Sequence, residues 1–248
     1  MNTLPQIRTR LTVPALLLAL TSASYGLTIT SSDDGYVREG QSTTVQDGGI
    51  SEHLYVRKDN SGNNDHVRKA YYKFDLTGLN ADLSAAATFT PTISYRSANQ
   101  NGNRTFYFYG LNAGFTAPTG ELGTDWDETA LTWSNAPGND RTTNIDTGFD
   151  AATTSLLYTA SNQYNSDIGK SYTITISELG DYVQADNTVT LMISWTDTTQ
   201  YGFGSKENST ISYRPTLEFS QIPEPNAAAL LMGLGASLLI TRRRRQRL

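Results

Sequence analysis

The sequence has 248 residues, no cysteine and a formal net charge of −5 at pH 7. Without cysteine, neither disulfides nor thiolate chemistry are available. Charge is segregated along the chain, because residues 27–221 contain 12 of the 19 basic residues but 23 of the 24 acidic ones, which gives this body a net charge of −11. An acidic body argues against general nucleic-acid binding, which requires a basic surface.

Residues 1–26 have the three parts of a secretory signal peptide. Arg8 and Arg10 precede an apolar run from Leu11 to Leu20, and the small residues 21–24 follow it. A basic start, a short apolar segment and a small-residue cleavage site direct a chain to export. We therefore expect the protein to cross the inner membrane through the secretion machinery and to lose this segment on the way.

Residues 27–221 consist mainly of short segments in which apolar and polar residues alternate. In residues 189–196, Val, Leu, Ile and Trp take one face while Thr and Ser take the other. This alternation is typical of strands in sheets that turn one face to solvent. Strands are predicted at residues 54–58, 68–76, 87–95, 105–111, 155–159, 172–176, 189–196 and 214–219. Together they predict a single all-β domain, a β-sandwich or jelly roll.

One short helix is predicted within this domain, over residues 177–184. Ser177 has a side chain suited to the helix N-cap, and Leu179, Tyr182 and Val183 have the spacing of an inward-facing stripe. The predicted fold class is therefore all-β with one short helix, flanked by the N-terminal signal peptide and a C-terminal hydrophobic helix.

Three blocks of the body resemble the DNRLRE domain, a family of secreted β-sandwiches. The first block comprises DGYVR (residues 34–38), LYVR (54–57) and RKAYYKFDL (68–76), the second is WDETALTWSNAP (126–137), and the third is FGSKE (203–207) with RPTLEF (214–219). Members of that family occur as accessory modules of polysaccharide-active proteins, and some are classed as carbohydrate-binding modules. The resemblance covers nearly the whole body and implies a β-sandwich that binds carbohydrate.

Binding of a polysaccharide requires aromatic faces for the sugar rings and charged or polar groups for hydroxyls and carboxylates. We expect Arg38, Arg57 and Lys58 to donate charge-assisted hydrogen bonds to an acidic glycan. The strand residues that complete the candidate set are Tyr71, Lys73, Tyr107 and Tyr109. The alternative is that these tyrosines pack between or over the sheets, and that the charged residues form ordinary cross-strand pairs.

Oxygen-rich loops make a structural calcium ion the metal to expect in an exported sandwich. The candidate ligands are Asp33, Asp34, Asp59 and Asp65. The loop of Asp59 and Asp65 lacks the spacing and the closing glutamate of an EF-hand, so a solvated hairpin tip is the alternative there. The two histidines lack the spacing of a zinc site.

The C-terminal segment, residues 222–248, combines a proline-flanked turn, an apolar run and a block of arginines. As a helix, the run from Ala227 to Ile240 would be about 21 Å long, shorter than a bilayer core of about 30 Å. Arginines beyond such a run fit the cytoplasmic side of a membrane. The residues of the turn and of the basic block are Pro223, Glu224, Pro225, Arg242, Arg243, Arg244 and Arg245.

This order closely resembles the PEP-CTERM sorting signal of Gram-negative bacteria. The resemblance implies that a membrane protease of the exosortase type cuts near the Pro-Glu-Pro triplet and releases or transfers the protein outward. It also implies transient or stable anchoring by the C-terminal helix, followed by delivery to the cell surface or extracellular matrix. The alternative is an ordinary single-span C-terminal anchor.

The sequence thus predicts an exported, non-enzymatic protein of the cell surface or matrix that binds polysaccharide. Two alternatives stay open, a purely structural or adhesive surface protein and a polysaccharide lyase or hydrolase. An enzyme would need a cleft of ionisable residues with mutually perturbed pKa values. Trp126 and Trp133 lie beside several carboxylates, but no partner nucleophile or metal cluster accompanies them, so packing is expected there.

Overall fold

The structure, a computed structural model, describes residues 25–58, 66–97, 105–141, 148–161 and 168–222. The strands are β1 (Tyr25–Thr30), β2 (Asp33–Arg38), β3 (His53–Val56), β4 (Arg68–Asp75), β5 (Ala87–Thr90), β6 (Ile93–Arg96), β7 (Phe106–Leu111), β8 (Thr154–Ala160), β9 (Ile174–Ile176), β10 (Thr188–Trp195), β11 (Tyr201–Gly204) and β12 (Thr216–Gln221). Short 3₁₀ turns lie at Glu39–Gln41, Gln46–Gly49, Leu179–Asp181 and Ile211–Tyr213. The predicted all-β class is confirmed.

The strands form three antiparallel sheets that share one core. The sheets have the orders β1-β12-β5-β9, β2-β4-β10-β7-β8 and β3-β11-β6. The five-stranded sheet contributes Phe106 and Trp195, whose rings stack 3.9 Å apart, and the three-stranded sheet adds Phe203 at 5.2 Å from Phe106. Phe89 of the four-stranded sheet meets Tyr72 of the five-stranded sheet at 5.4 Å. Aromatic contacts across the sheets therefore hold this sandwich together.

A second layer covers the opposite face of the five-stranded sheet. It is formed by residues 112–141 and 148–153, here together named the covering segment, which contain no strand of their own. Trp126 and Trp133 of this segment are buried and pack in one cluster with Tyr71 and Met192. The expected packing role of the two tryptophans is thus confirmed.

Strand β10 shows why the covering segment matters, since all eight of its residues are buried. The expectation that its Thr and Ser face solvent is wrong. Thr190 and Ser194 are 0% exposed, and Thr190 Oγ1 accepts a hydrogen bond of 3.0 Å from Trp126 Nε1. For Thr190 the hydrogen-bond partner thus comes from the covering segment rather than from water, whereas the Ser194 hydroxyl is buried without a partner.

The predicted helix over residues 177–184 is also corrected, because only the 3₁₀ turn Leu179–Asp181 forms there. Ser177 does not cap it; the residue before the turn is Glu178, which makes no side-chain capping hydrogen bond. Val183 already pairs with Val189 in an antiparallel bridge, so the chain is turning into β10 and cannot continue as a helix. Leu179 is buried, as expected from its spacing.

None of the helices in the described residues is long and apolar enough to cross a bilayer. The signal residues before Tyr25 and the sorting residues from Pro223 onward lie outside the described residues. The same holds for the calcium candidates Asp59 and Asp65.

Candidate functional site

The three-stranded sheet exposes an aromatic outer face. In β3, Leu54 and Val56 point into the core, so His53 and Tyr55 project to the other side because side chains alternate along a strand. Tyr95 of β6 lies beside them: its ring centre is 5.3 Å from that of Tyr55 and 5.6 Å from that of His53. All three rings are partly exposed, so they offer apolar faces to a ligand.

A glycine in the middle strand allows these rings to meet. Gly202 pairs with Tyr55 on one side and with Tyr95 on the other. A Cβ atom at Gly202 would lie 2.9 Å from the Cβ of Tyr95 and 3.1 Å from that of His53. These distances are too short for a side chain, so the missing side chain of Gly202 is what lets the aromatic residues converge over the sheet.

Arginines gather next to the aromatic rings. Arg57 and Arg68 are paired across an antiparallel bridge, with backbone hydrogen bonds of 3.2 and 2.9 Å. Burial lowers the pKa of Arg68, and the positive charges of Arg38 and Arg57 lower it further. Arg38 pairs with Arg68 in the register of β2 and β4, and Arg57 bridges to Arg68, so the three arginines are neighbours. We name this region, with the rings of Tyr36, Tyr55, Tyr95 and His53, the arginine–tyrosine face.

The hydrogen bonds of this face leave capacity for an anion. Arg68 Nη1 donates to Gln200 Oε1 at 2.7 Å, but the Nε atoms of Arg57 and Arg68 are buried without a hydrogen-bond partner. No ion pair among the described residues involves either side chain. A buried guanidinium nitrogen without an acceptor is unfavourable, so Arg57 and Arg68 each keep an unused hydrogen-bond donor in this face.

Tyr36 ties the face to the sandwich core. Its hydroxyl donates to Asp47 Oδ2 at 3.0 Å, and its ring meets that of Tyr55 edge-on at 5.1 Å. Burial and the nearby Asp47 carboxylate raise the pKa of Tyr36, so the phenol stays protonated and keeps donating at physiological pH. This contact fixes the orientation of the Tyr55 ring on the surface.

The structure brings together only part of the predicted carbohydrate-binding set. Arg38 and Arg57 lie in the arginine–tyrosine face, and Lys58 follows Arg57 as a partly exposed residue whose backbone N–H donates to Asp197. Tyr107 and Tyr109 are partly exposed on β7, on the side of the five-stranded sheet that carries the covering segment. They therefore lie on a different surface from the arginines.

Two other members of the predicted set are enclosed by the covering segment. The ring of Tyr71 is 0% exposed and packs against Trp126 and Phe149, so it offers no surface to a sugar. The ammonium group of Lys73 lies 3.0 Å from Asp33 and 3.1 Å from Asp125, and it also donates to the carbonyl of Trp126. Burial acts to lower the pKa of Lys73, but these two carboxylates raise it overall.

Sequence reasoning missed several residues of the arginine–tyrosine face, namely Arg68, Tyr36, Tyr55, Tyr95 and His53. The alternation of Leu54 and Val56 marks Tyr55 as outward-facing and was a usable signal. The place of Tyr95 depends on the pairing of β6 with β11, which are more than a hundred residues apart in the chain. No local pattern reveals that pairing.

A carboxylate cluster lies near the other end of β2. It consists of Asp34, Glu128 and Glu207, which each place one carboxylate oxygen within 4.8 Å of the others. Burial raises the pKa of the Asp34 carboxyl to about 7. Of the two calcium candidates in β2, Asp34 therefore joins an acidic cluster, whereas Asp33 is paired with Lys73.

Comparison with known proteins places the chain in a family. Among curated proteins, no match is found. The model of carbohydrate-binding module family 96 matches residues 26–221, which is the whole of the sandwich with its covering segment. Members of such a family are non-catalytic domains that bind carbohydrate, which agrees with the surface of partly exposed rings and arginines. The chain belongs to carbohydrate-binding module family 96.

Proposed function

We propose that the protein binds an acidic polysaccharide, one that carries uronate carboxylates, through its arginine–tyrosine face. The observation that carries the proposal is the pairing of Arg38 and Arg57 with Arg68 beside partly exposed tyrosine rings. Arginine presents planar, bidentate donors to a carboxylate, and the rings supply apolar surface for the sugar. Neutral glycans would use the rings but would offer no carboxylate to the guanidinium groups of Arg57 and Arg68.

The charge of the rest of the molecule sharpens this preference. The body carries a net charge of −11, so it repels a polyanion everywhere except where basic residues gather. A polysaccharide chain would therefore be guided to the arginine–tyrosine face and bind there in one orientation. Binding that depends on exposed charges weakens as salt screens them, over a Debye length of about 8 Å at physiological ionic strength.

Affinity electrophoresis of the purified full-length chain tests the proposal. We expect retardation in gels that contain polygalacturonate or alginate but not in gels that contain neutral dextran, and less retardation as NaCl is raised. Arg57→Gln should weaken binding about tenfold or more, because a charge-assisted hydrogen bond contributes about 1.5–3 kcal/mol. Lys170→Gln makes the same change of charge at an exposed site outside the face and is the matched control.

The outcomes separate the alternatives. If Arg57→Gln does not change the retardation in gels with an acidic polysaccharide, the binding site lies outside the arginine–tyrosine face. Equal retention by neutral and acidic gels would reject the acidic glycan and favour stacking on the rings alone. A lack of retardation in every gel would contradict the proposal that the ligand is an acidic polysaccharide.

We further propose that this binding takes place outside the cell, without turnover, after sorting by an exosortase-type protease. The support is the signal-peptide pattern of residues 1–26 and the Pro-Glu-Pro, apolar and arginine order of residues 222–248, which resembles a PEP-CTERM signal. In a host with an exosortase-type gene, we expect a processed chain in the surface or extracellular fraction. Deletion of that gene should leave the unprocessed chain in the membrane fraction; unchanged processing would contradict the proposal.

A further inference from the structure

The carboxylate cluster has an excess of negative charge that its neighbours do not offset. Asp34 comes from β2, Glu128 from the covering segment and Glu207 from the turn after β11. Among the described residues, the base that pairs with them is Lys206, whose Nζ lies 2.8 Å from Glu128 Oε1 and also contacts Glu207 Oε1. When all three carboxyl groups are ionised, the single ammonium group leaves two negative charges in a largely buried place.

The hydrogen bonds of Asp34 are strongly one-sided. Its Oδ2 atom accepts from the Ser31 hydroxyl at 2.6 Å and from the Lys206 backbone N–H at 2.7 Å. Its Oδ1 atom is buried and has no hydrogen-bond partner, although the residue is 0% exposed. Asp34 therefore belongs to the cluster with one of its two carboxylate oxygens buried and without a hydrogen-bond donor.

Glu207 repeats this pattern. Its Oε1 atom takes the ammonium group of Lys206, while its Oε2 atom is buried without a partner. A buried carboxylate oxygen without a donor is costly, and two within one cluster need a common explanation. A cation bound between them would satisfy both oxygens at once and would neutralise the remaining charge.

The chemistry of the ligand atoms selects the cation. The cluster offers only carboxylate oxygens, and neither a histidine nor a cysteine belongs to it. Oxygen ligands without nitrogen or sulfur suit a hard divalent ion, and Ca²⁺ accepts irregular sets of side chains more readily than Mg²⁺ does. We propose that Asp34, Glu128 and Glu207 bind one Ca²⁺ ion, with Lys206 offsetting the third carboxylate.

Such an ion would cross-link three segments that are distant in the sequence. It would hold the covering segment, through Glu128, against β2 and the turn after β11. This role is independent of glycan binding, since the proposal concerns the stability of the sandwich and not the arginine–tyrosine face. Binding to the folded state alone raises the unfolding temperature in proportion to the logarithm of the free ion concentration.

Calorimetric titration and thermal unfolding of the EDTA-treated full-length chain test the site, with CaCl₂ and MgCl₂ as probes. We expect one Ca²⁺ per chain and an unfolding temperature about 5 °C higher or more at saturating Ca²⁺, with a much smaller effect of Mg²⁺. Glu207→Gln and Glu128→Gln should each weaken Ca²⁺ binding at least tenfold. Glu52→Gln is the matched control. Glu52 has an exposed side chain and its backbone carbonyl accepts a hydrogen bond from the backbone N–H of Ser205, so the substitution should leave Ca²⁺ binding unchanged.

Three results would overturn the proposal. The first is no heat and no shift of the unfolding temperature with Ca²⁺. The second is Ca²⁺ binding that both glutamine variants leave intact, which would place the ion elsewhere. The third is an equal response to Mg²⁺. Since Asp34→Asn can fail to fold, the two glutamate variants, whose side chains are partly exposed, carry the test.

Discussion

Replacement of Lys69 by Ala is expected to lower the free energy of unfolding by about 3 kcal/mol. Lys69 is 0% exposed, an unusual place for an ammonium group. Its Nζ atom donates to Asn139 Oδ1 at 2.8 Å and to the carbonyl of Gly148, and it lies 4.6 Å from the centre of the Trp133 ring. The substitution would remove these contacts and leave a cavity between β4 and the covering segment.

Urea unfolding followed by tryptophan fluorescence measures the effect. Lys69→Met keeps an apolar chain of similar length and should lose less stability than Lys69→Ala, which separates packing from charge. Lys170→Ala is the matched control, because Lys170 also lies over an aromatic ring, that of Tyr172 at 5.1 Å, but is exposed. That control should change stability by less than about 0.5 kcal/mol. A loss below about 1 kcal/mol for Lys69→Ala would show that the buried ammonium group does not hold the covering segment.

Lys69 also shows where reasoning from sequence reaches its limit. Apolar and polar residues alternate in the sequence of 68–76, and in the structure Tyr72 and Phe74 lie on one face of β4 while Tyr71 and Lys73 lie on the other. What the pattern could not give is the environment of the second face. A charged or hydroxyl side chain at every other position usually marks solvent, yet here a segment distant in sequence covers it.

The covering segment is difficult to foresee because it has no periodic structure of its own. It is held by tryptophans, by turns and by side-chain hydrogen bonds, and none of these has a hydrophobic period. Its effect on the binding residues is direct, since Tyr71 and Lys73 became interior residues beneath it. Arg38, at the end of β2, and Arg57, just after β3, are not enclosed by it and remained partly exposed.

The arginine–tyrosine face also depends on the pairing of distant strands, which the sequence pattern does not reveal. An antiparallel bridge brings Arg57 and Arg68 together at the two ends of a loop. The alternation of apolar residues predicts a hairpin with a long loop there, but not which residues pair. Tyr95 joins them through β11, which pairs with β3 and β6 at once. Local patterns predict strands, whereas sites on sheets are set by the order in which strands pair.

Gly204→Ala is expected to prevent stable folding, the largest effect predicted for any single substitution here. A Cβ atom at Gly204 would lie 2.0 Å from the carbonyl oxygen of Tyr213 and 2.7 Å from its carbonyl carbon. Both atoms belong to the backbone of the 3₁₀ turn Ile211–Tyr213, so no side-chain rotation relieves the collision. Either β11, whose four residues are all buried, or the backbone of the turn must move.

The yield of folded protein and its urea unfolding midpoint measure this effect. We expect a loss of more than about 4 kcal/mol, or no folded protein at all. Gly123→Ala is the matched control, because a Cβ atom there meets nothing within 4 Å and the glycine does not have a positive φ. That substitution should be neutral or stabilise by about 0.4–1 kcal/mol through the unfolded chain.

Gly204 connects both sites to the fold. It ends the strand that carries Gly202 beneath the aromatic rings, and it begins the turn that carries Lys206 and Glu207 to the carboxylate cluster. A variant that folds with a side chain at position 204 would displace the end of β11, and with it the turn that carries Lys206 and Glu207. If Gly204→Ala folds, we expect it to weaken Ca²⁺ binding more than polysaccharide binding. If it changes neither affinity, the close approach of Tyr213 does not constrain this end of β11.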